Sequence, residues 1–519
     1  MNYPPYAPYP QPQPQPPREK ASYPIRELVF ALIFLFVALM FSFAMPFREN
    51  PLAVFLLLIV LFTLTLLYYG KGALSKKRRS VMILVLYALF LLPFLTNANA
   101  TLRFFVFVLL MVLLAFFWYD KARLVHAPMA DSAIVSHVGT ALTGYVSHFH
   151  TLFAVIFSTT SRGERAKKGW RTFGFVMIGL GVALVPTVII WALLSYDDSF
   201  NLLMDNIFDF SFEKVFERIW DIMVAIPLGA AFFSLVYSMK AERKEKPQAT
   251  PRAGGVPRAV LYAAVTPMLI LYALFFFSQK DYYLSAFTKT LPEGLTYAEY
   301  AREGFFQLCI IACINAAVLL VFSLLARKKE GSKEILCRIY QGVLSFFTLI
   351  LIATALSKMV LYIDTYGLTH KRVYASWLMA VLAFMFVVIL LKQFVRRLPF
   401  VKVAIVGAIL FFALITLPNT DAVIANYNVD RYLDGSLDKV DIEELDELGI
   451  SSIEARIRLE KEWKSREGLL GTTSLTEEEK VLLSELSASL DLEKEEIDRS
   501  LWAFSIPNQQ AKRLLDERG

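Results

Sequence analysis

Eleven apolar runs of 17 to 24 residues dominate the chain up to Pro418. They are Glu27 to Met45, Pro51 to Tyr69, Ser80 to Thr96, Arg103 to Tyr119, Thr172 to Ser195, Ile219 to Ser238, Ala259 to Phe277, Phe305 to Ala326, Gln341 to Ile363, Ala375 to Phe394 and Phe400 to Pro418. About 20 apolar residues of helix cross a bilayer, so each run predicts a spanning helix. No small-residue cleavage motif follows the first run, which reads as an uncleaved span. Between runs four and five, Ile134, Val138, Ala141, Leu142, Tyr145, Phe149, Leu152, Phe153 and Ile156 recur at helical spacing, with Ser, Thr, Gly and His opposite them. That pattern predicts an amphipathic helix over 131–159 lying in the membrane interface.

After Pro418 the pattern changes to short polar helices. Asp421 to Leu433 reads as a helix continuing past the Pro418–Asn419 break. Ser451 with Glu454 and Thr476 with Glu479 have capping-box spacing, Gly449 suits a helix stop, and Leu482, Leu483, Leu486 and Leu490 mark a buried face. The predicted fold class is all-α: a polytopic helical membrane protein of about 11 spans with a C-terminal extracytoplasmic helical domain. Its parts are a disordered proline-rich tail at 1–25 (PPYAPYPQPQPQPP), a membrane domain at 26–418 and an acidic helical domain at 419–519.

Composition agrees with this division: 56% of residues are hydrophobic and mean hydropathy is +0.50, too apolar for an ordinary soluble protein. Charge then fixes the orientation. From Asn419 onward there are 13 Lys/Arg and 24 Asp/Glu, a net near −11, which leaves the rest of the chain near +18. One alternate set of loops carries 30 Lys/Arg and the other ten. The richer set is cytoplasmic by the positive-inside rule, which puts the amino end in the cytoplasm and the C-terminal domain outside a bacterial cell membrane. Basic loops beside spans attract anionic lipid, so the bilayer is the expected partner and nucleic acid is not.

Little in the spans points to chemistry. Pro186, Pro227 and Pro267 lie near the middle of three consecutive spans and are candidate kinks. No acidic or basic residue falls near a span's midplane, and Asn315 is among the few strongly polar residues at depth. His126, His137, His148 and His150 cluster around the interfacial segment. His137 and His148, however, stand roughly 16 Å apart along a helix, and His148 and His150 point to nearly opposite sides, so no metal site is predicted. Cys309, Cys313 and Cys337 lie in or beside apolar helices and read as small apolar residues. Phosphate loops, zincin helices and nucleophile elbows are absent from the sequence, so no enzyme activity and no cofactor are expected. Phe210 to Ile222 and Leu295 to Leu308 are similar amphipathic stretches leading into spans, a candidate internal repeat, with a capping box at Thr296 and Glu299 in the second.

The distinctive polar residues gather on the predicted outer side in three signatures. TYAEYAREGF carries Glu299 and Arg302, IDTYGLTHKR carries Asp364 and Arg372, and NYNVDRY carries Asn428, Asp430 and Arg431. Together and in this order, over about Ala259 to Leu433, they resemble a bacterial family of polytopic membrane proteins catalogued only as a domain of unknown function. The resemblance implies a multi-span membrane protein with these motifs at the outer surface, and supplies no substrate, cofactor or catalytic residue. Physically, Glu299 and Arg302 are spaced i and i+3 and can pair with each other, or the arginines and acids of the three segments can form one outer site. Such a site would seat the C-terminal domain or bind an anionic envelope ligand. The expected function is that of a non-enzymatic envelope protein acting in sensing, assembly or binding of an envelope partner. The alternative is a transporter of an uncharged or lipid-like substrate through the proline-kinked helices.

Overall fold

The computed structural model describes residues 23–44, 50–70, 78–121, 133–160, 212–242, 258–278, 305–325, 335–395, 397–467, 475–497 and 504–518. Among these, every regular element is helical. In chain order they are α1 (Ile25–Ala44), α2 (Pro51–Tyr69), α3 (Arg78–Leu91), α4 (Pro93–Thr96), α5 (Ala100–Lys121), α6 (Ala133–Ser147), α7 (Phe149–Thr160), α8 (Phe212–Glu242) and α9 (Arg258–Ser278). There follow α10 (Phe305–Leu325), α11 (Ile335–Tyr366), α12 (His370–Phe394), α13 (Phe400–Thr416), α14 (Thr420–Leu433), α15 (Ile442–Glu447), a 3-10 turn (Gly449–Ser452), α16 (Ile453–Glu467), α17 (Glu477–Ile497) and α18 (Ile506–Arg518).

Helices cover ten of the eleven predicted runs; Thr172–Ser195, with Pro186, lies outside the described residues. Seven of the described helices are long and apolar enough to cross a membrane, with α3 and α4 taken together as Arg78–Thr96, or eight if α13 and α14, bent by 59° at their junction, count as one span. The predicted count of 11 is therefore not reached among the described residues, where α9 and α10 offer the shorter apolar stretches Tyr262–Ser278 and Gln307–Leu319. Pro227 and Pro267 sit inside the continuous helices α8 and α9, on exposed faces of both.

The chain divides into two compact units, Met1–Ser42 with Tyr145–Tyr237, and Phe43–Gly144 with Ser238–Gly519. In the first, α1 buries Ala31, Phe34, Val37, Ala38 and Phe41 along one helical stripe, and Phe34 and Phe41 meet Phe233 and Phe232 of α8. A side chain on Gly229 of α8 would start 3.0 Å from the Leu35 backbone, so glycine permits the close helix approach typical of packing in lipid. The segment expected to form a single interfacial helix is broken at His148, whose backbone N–H donates to Ser234 Oγ of α8 at 3.0 Å. The break overturns the expected divergence of His148 and His150: their rings lie 6.5 Å apart and nearly parallel.

In the second unit α3 packs on α5, and α11 packs along α10 and α12. Trp118 of α5 donates to Thr65 Oγ1 of α2 at 2.9 Å and stacks on Tyr69 at 4.1 Å. Inside the α9–α11 cluster, Tyr272 donates to Asn315 Oδ1 at 2.7 Å and Asn315 donates to Thr348 Oγ1 at 2.9 Å, so the buried amide at depth is satisfied. Helices α14 to α18 share a core that includes Ile424, Leu445, Leu459, Trp463, Leu486 and Leu515. Leu483, Leu486 and Leu490 are buried in it, with Leu482 packed alongside. Thr476 and Glu479 form the expected reciprocal cap. The Ser451–Glu454 box does not form: Ser451 lies in the 3-10 turn after Gly449 and donates instead to Asn419 Oδ1 at 3.1 Å.

Candidate functional site

The site lies where α11 turns into α12 and α14 crosses the turn. Gly367, at φ 73°, ends α11 in the left-handed conformation that a side chain resists. Thr369 then caps α12 by accepting from the Arg372 backbone N–H. The last carbonyls of any helix lack intrahelical donors and carry its negative end. Gly367 N–H donates to Ile363 O at 2.9 Å, and two arginines supply further donors here. Arg372 reaches back to Tyr366 O at 2.8 Å and Gly367 O at 2.7 Å, with its guanidinium 4.1 Å over the Tyr362 ring. Arg431, from α14, donates to Ile363 O at 3.3 Å and Asp364 O at 3.0 Å, and is itself braced by Ser436 Oγ and O at 3.0 and 2.8 Å.

Asn428, one turn before Arg431, closes the grip. Its Oδ1 accepts the Leu368 N–H at 2.6 Å and its Nδ2 donates to Leu368 O at 2.8 Å, so one amide satisfies both backbone groups of the turn. A Cβ on Gly367 would lie 2.5 Å from Asn428 Oδ1. Glycine is thus required twice, for its dihedral and for space.

Of the predicted outer cluster, the structure brings together Asp364, Arg372, Asn428 and Arg431. Asp364 contributes mainly its carbonyl, since its carboxylate is 4.0 Å from Arg431 and nearly half exposed. Asp430 points elsewhere and pairs with Arg458 of α16 at 2.6 Å. Glu299 and Arg302, and with them residues 295–304 of the candidate repeat and its capping box, lie outside the described residues.

Beside this grip is a buried polar knot that sequence reading missed. Asn97, fully buried in the turn between α4 and α5, donates to Thr416 O at 3.2 Å and Pro418 O at 2.9 Å, while Thr96 donates to Leu417 O at 3.1 Å. These side chains take up the last carbonyl of α13 and the two carbonyls of the bend that follows it, where Pro418 interrupts the helical pattern. Arg103, one of the ten Lys/Arg of the charge-poor set of loops, is buried in the first turn of α5 and donates to Asn97 O at 2.7 Å. Asn99 donates to both oxygens of Asp421 at 3.0 and 3.2 Å. His370 meets Asp421 Oδ1 at 2.9 Å through Nε2, and its backbone N–H donates to Glu444 Oε1 at 3.0 Å. Burial pushes the Glu444 carboxyl up, against the pull of the His370 N–H and ring. The polar break LTNANATLR between runs three and four is the local signal that could have pointed here. The partners lie some 270 to 320 residues away, beyond any short pattern.

A second misplaced charge is Lys358. It too is one of the ten Lys/Arg of the charge-poor set of loops, yet α11 runs on to Tyr366 and Lys358 is fully buried in it. Among the described residues no group of three His, Cys, Asp or Glu side chains could hold a metal ion. Chemically, the arrangement is a joint: its arginines, asparagines and carboxylates bond to backbone or to one another.

A family model described as a domain of unknown function, DUF4153, matches residues 81–459, from α3 into α16, and so takes in both the grip and the knot. No curated protein and no solved structure matches the chain.

Proposed function

The chain belongs to the DUF4153 family, and from that premise we propose that it is a non-enzymatic cell-envelope membrane protein. Its C-terminal helical domain, on the outer side, is seated on the membrane helices to sense, assemble or bind a partner. The observation that carries this reading is that Arg372, Asn428 and Arg431 are all engaged with the backbone of the α11–α12 turn. Guanidiniums so occupied favour docking of the C-terminal helices over capture of an anionic envelope ligand. The junction also falls within the family match, which extends past α14.

Transport of an uncharged or lipid-like substrate is the second reading, favoured by the buried Tyr272–Asn315–Thr348 chain. The exposed positions of Pro227 and Pro267 weigh against kinks that line a cavity. Complementation of a deletion strain under envelope stress separates the two. Under the docking reading, Arg372→Met with Arg431→Met fails to complement, whereas alanine at Pro186, Pro227 and Pro267 complements; the reverse pattern would favour transport. Orientation is checked by a membrane-impermeant maleimide on Glu478→Cys in intact spheroplasts. Labelling only after permeabilisation would put the C-terminal domain inside.

A further inference from the structure

The first turn of α12 places an imidazole between carboxylates from two helices of the C-terminal region. His370 Nε2 lies 2.9 Å from Asp421 Oδ1 on α14, and Nδ1 lies 3.7 Å from Glu444 Oε1 on α15. The same Glu444 oxygen accepts the His370 backbone N–H. The three side chains are 22%, 7% and 14% exposed, so their interaction is screened far less than a surface pair. A neutral imidazole has one donor and one acceptor, whereas imidazolium has two donors. Only the imidazolium can therefore donate to Asp421 through Nε2 and also present a positive N–H to Glu444, which at 3.7 Å is an ion-pair contact and not a hydrogen bond.

The other groups facing the ring do not remove this preference. Asn99 Nδ2, from the α4–α5 turn, lies 3.2 Å from Nε2 but donates to the two oxygens of Asp421, which leaves Nε2 free to donate to that carboxylate as well. Tyr374, one turn along α12, has its ring 5.8 Å away, and Glu447 of α15 adds negative field. Arg103 of α5 is the opposing cation, acting on Asp421. Arg372, two residues from His370, is turned toward the carbonyls of Tyr366 and Gly367.

We propose that His370 is a proton-gated clasp: as imidazolium it ties α12 to α14 through Asp421 and to α15 through Glu444, and on losing its proton it releases the α15 side. This rests on the docking reading above. When the proton leaves Nδ1 for solvent, the ring keeps its Nε2–H donor to Asp421 and turns a lone pair toward Glu444. A carboxylate then faces an acceptor, and of the polar ties between His370 and α15 only the backbone N–H bond to Glu444 is kept, beside the apolar packing of Ile442 and Leu445. The extra hold is present below the ordinary imidazole pKa of about 6.5 and is lost as pH rises past the imidazole range. The C-terminal region would thus loosen its seat as the compartment around it becomes alkaline.

The test is hydrogen exchange on the full chain in lipid nanodiscs at about pH 6 and about pH 9, with rates corrected for intrinsic chemistry. In the wild type, residues 441–448 should open about tenfold more readily at the higher pH. His370→Gln, which keeps an amide donor for Asp421 without a charge, should show no step, and Glu444→Gln should shrink it to under about threefold. An unchanged wild type, or an equal step in either variant, would overturn the clasp. So would an equal step in residues 453–467 and 477–497, because the whole region would then be unfolding. If His370→Gln does not accumulate, Glu444→Gln decides. Failure of the docking reading looks different: residues 420–433 would exchange without protection at both pH values.

Discussion

Arg431 makes the sharpest prediction, because two of its roles can be separated by measurement. Its guanidinium is mostly buried and donates to two terminal carbonyls of α11 while Ser436 braces it. Hydrogen bonds from a charged donor contribute roughly 1.5 to 3 kcal/mol each, and water can partly replace those at the rim of the site. Arg431→Met should therefore cost about 3 kcal/mol of docking free energy. Arg431→Lys should recover less than half of it, since a point charge cannot fork across two carbonyls. The carboxylate of Asp364, at 4.0 Å and nearly half exposed, is worth no more than about 0.5 kcal/mol. Hydrogen exchange of residues 420–433 in the full chain in nanodiscs should accelerate roughly 100-fold in Arg431→Met and less than about threefold in Asp364→Asn. A double-mutant cycle should give a coupling below about 0.5 kcal/mol. A coupling above about 1.5 kcal/mol, or an Asp364→Asn effect as large as that of Arg431→Met, would show that an ion pair and not helix capping joins α14 to α11.

Three further outcomes follow from the same geometry. Gly367→Ala should lower stability by about 2 kcal/mol or more, because the added Cβ meets Asn428 Oδ1 at a positive φ; an unchanged thermal midpoint in detergent would contradict this. In α16, burial raises the Glu460 carboxyl, but hydrogen bonds from Arg518, Lys464 and Ser487 outweigh it and hold the group at about 2, below its ordinary 4.5. Its contribution is therefore complete above about 4.5 and lost as pH falls toward about 2, so exchange at 453–467 should rise over that window in the wild type and rise less in Glu460→Gln. Asn315→Leu removes the centre of the Tyr272–Asn315–Thr348 chain and should cost about 1 kcal/mol in thermal unfolding; a gain in stability would mean the polar chain is not structural.

The membrane helices were legible because their cause is local. A run such as Pro51–Tyr69 is apolar throughout and must be a helix in lipid, whatever lies beside it. The Thr476–Glu479 cap and the α13–α14 break at Pro418 were legible for the same reason, since each depends on residues within a turn of one another. The reading went wrong where a partner far along the chain decides. Ser451 has capping-box spacing yet donates to Asn419, and the 131–159 segment has an unbroken helical period yet breaks where Ser234 takes the His148 N–H.

The joint divides along the same line. Sequence alone singled out Asp364, Arg372, Asn428 and Arg431 as the distinctive polar residues of the predicted outer side, in the signatures IDTYGLTHKR and NYNVDRY. It could not say that the arginines serve backbone carbonyls, since a helix end announces its unpaired groups but not which donor fills them. Nor could it join Asn97, Asn99, His370, Asp421 and Glu444, which lie in four separate segments of the chain. Only the tertiary structure brings them together, because a buried polar group must find a partner wherever the fold places one, and that requirement carries no sequence period.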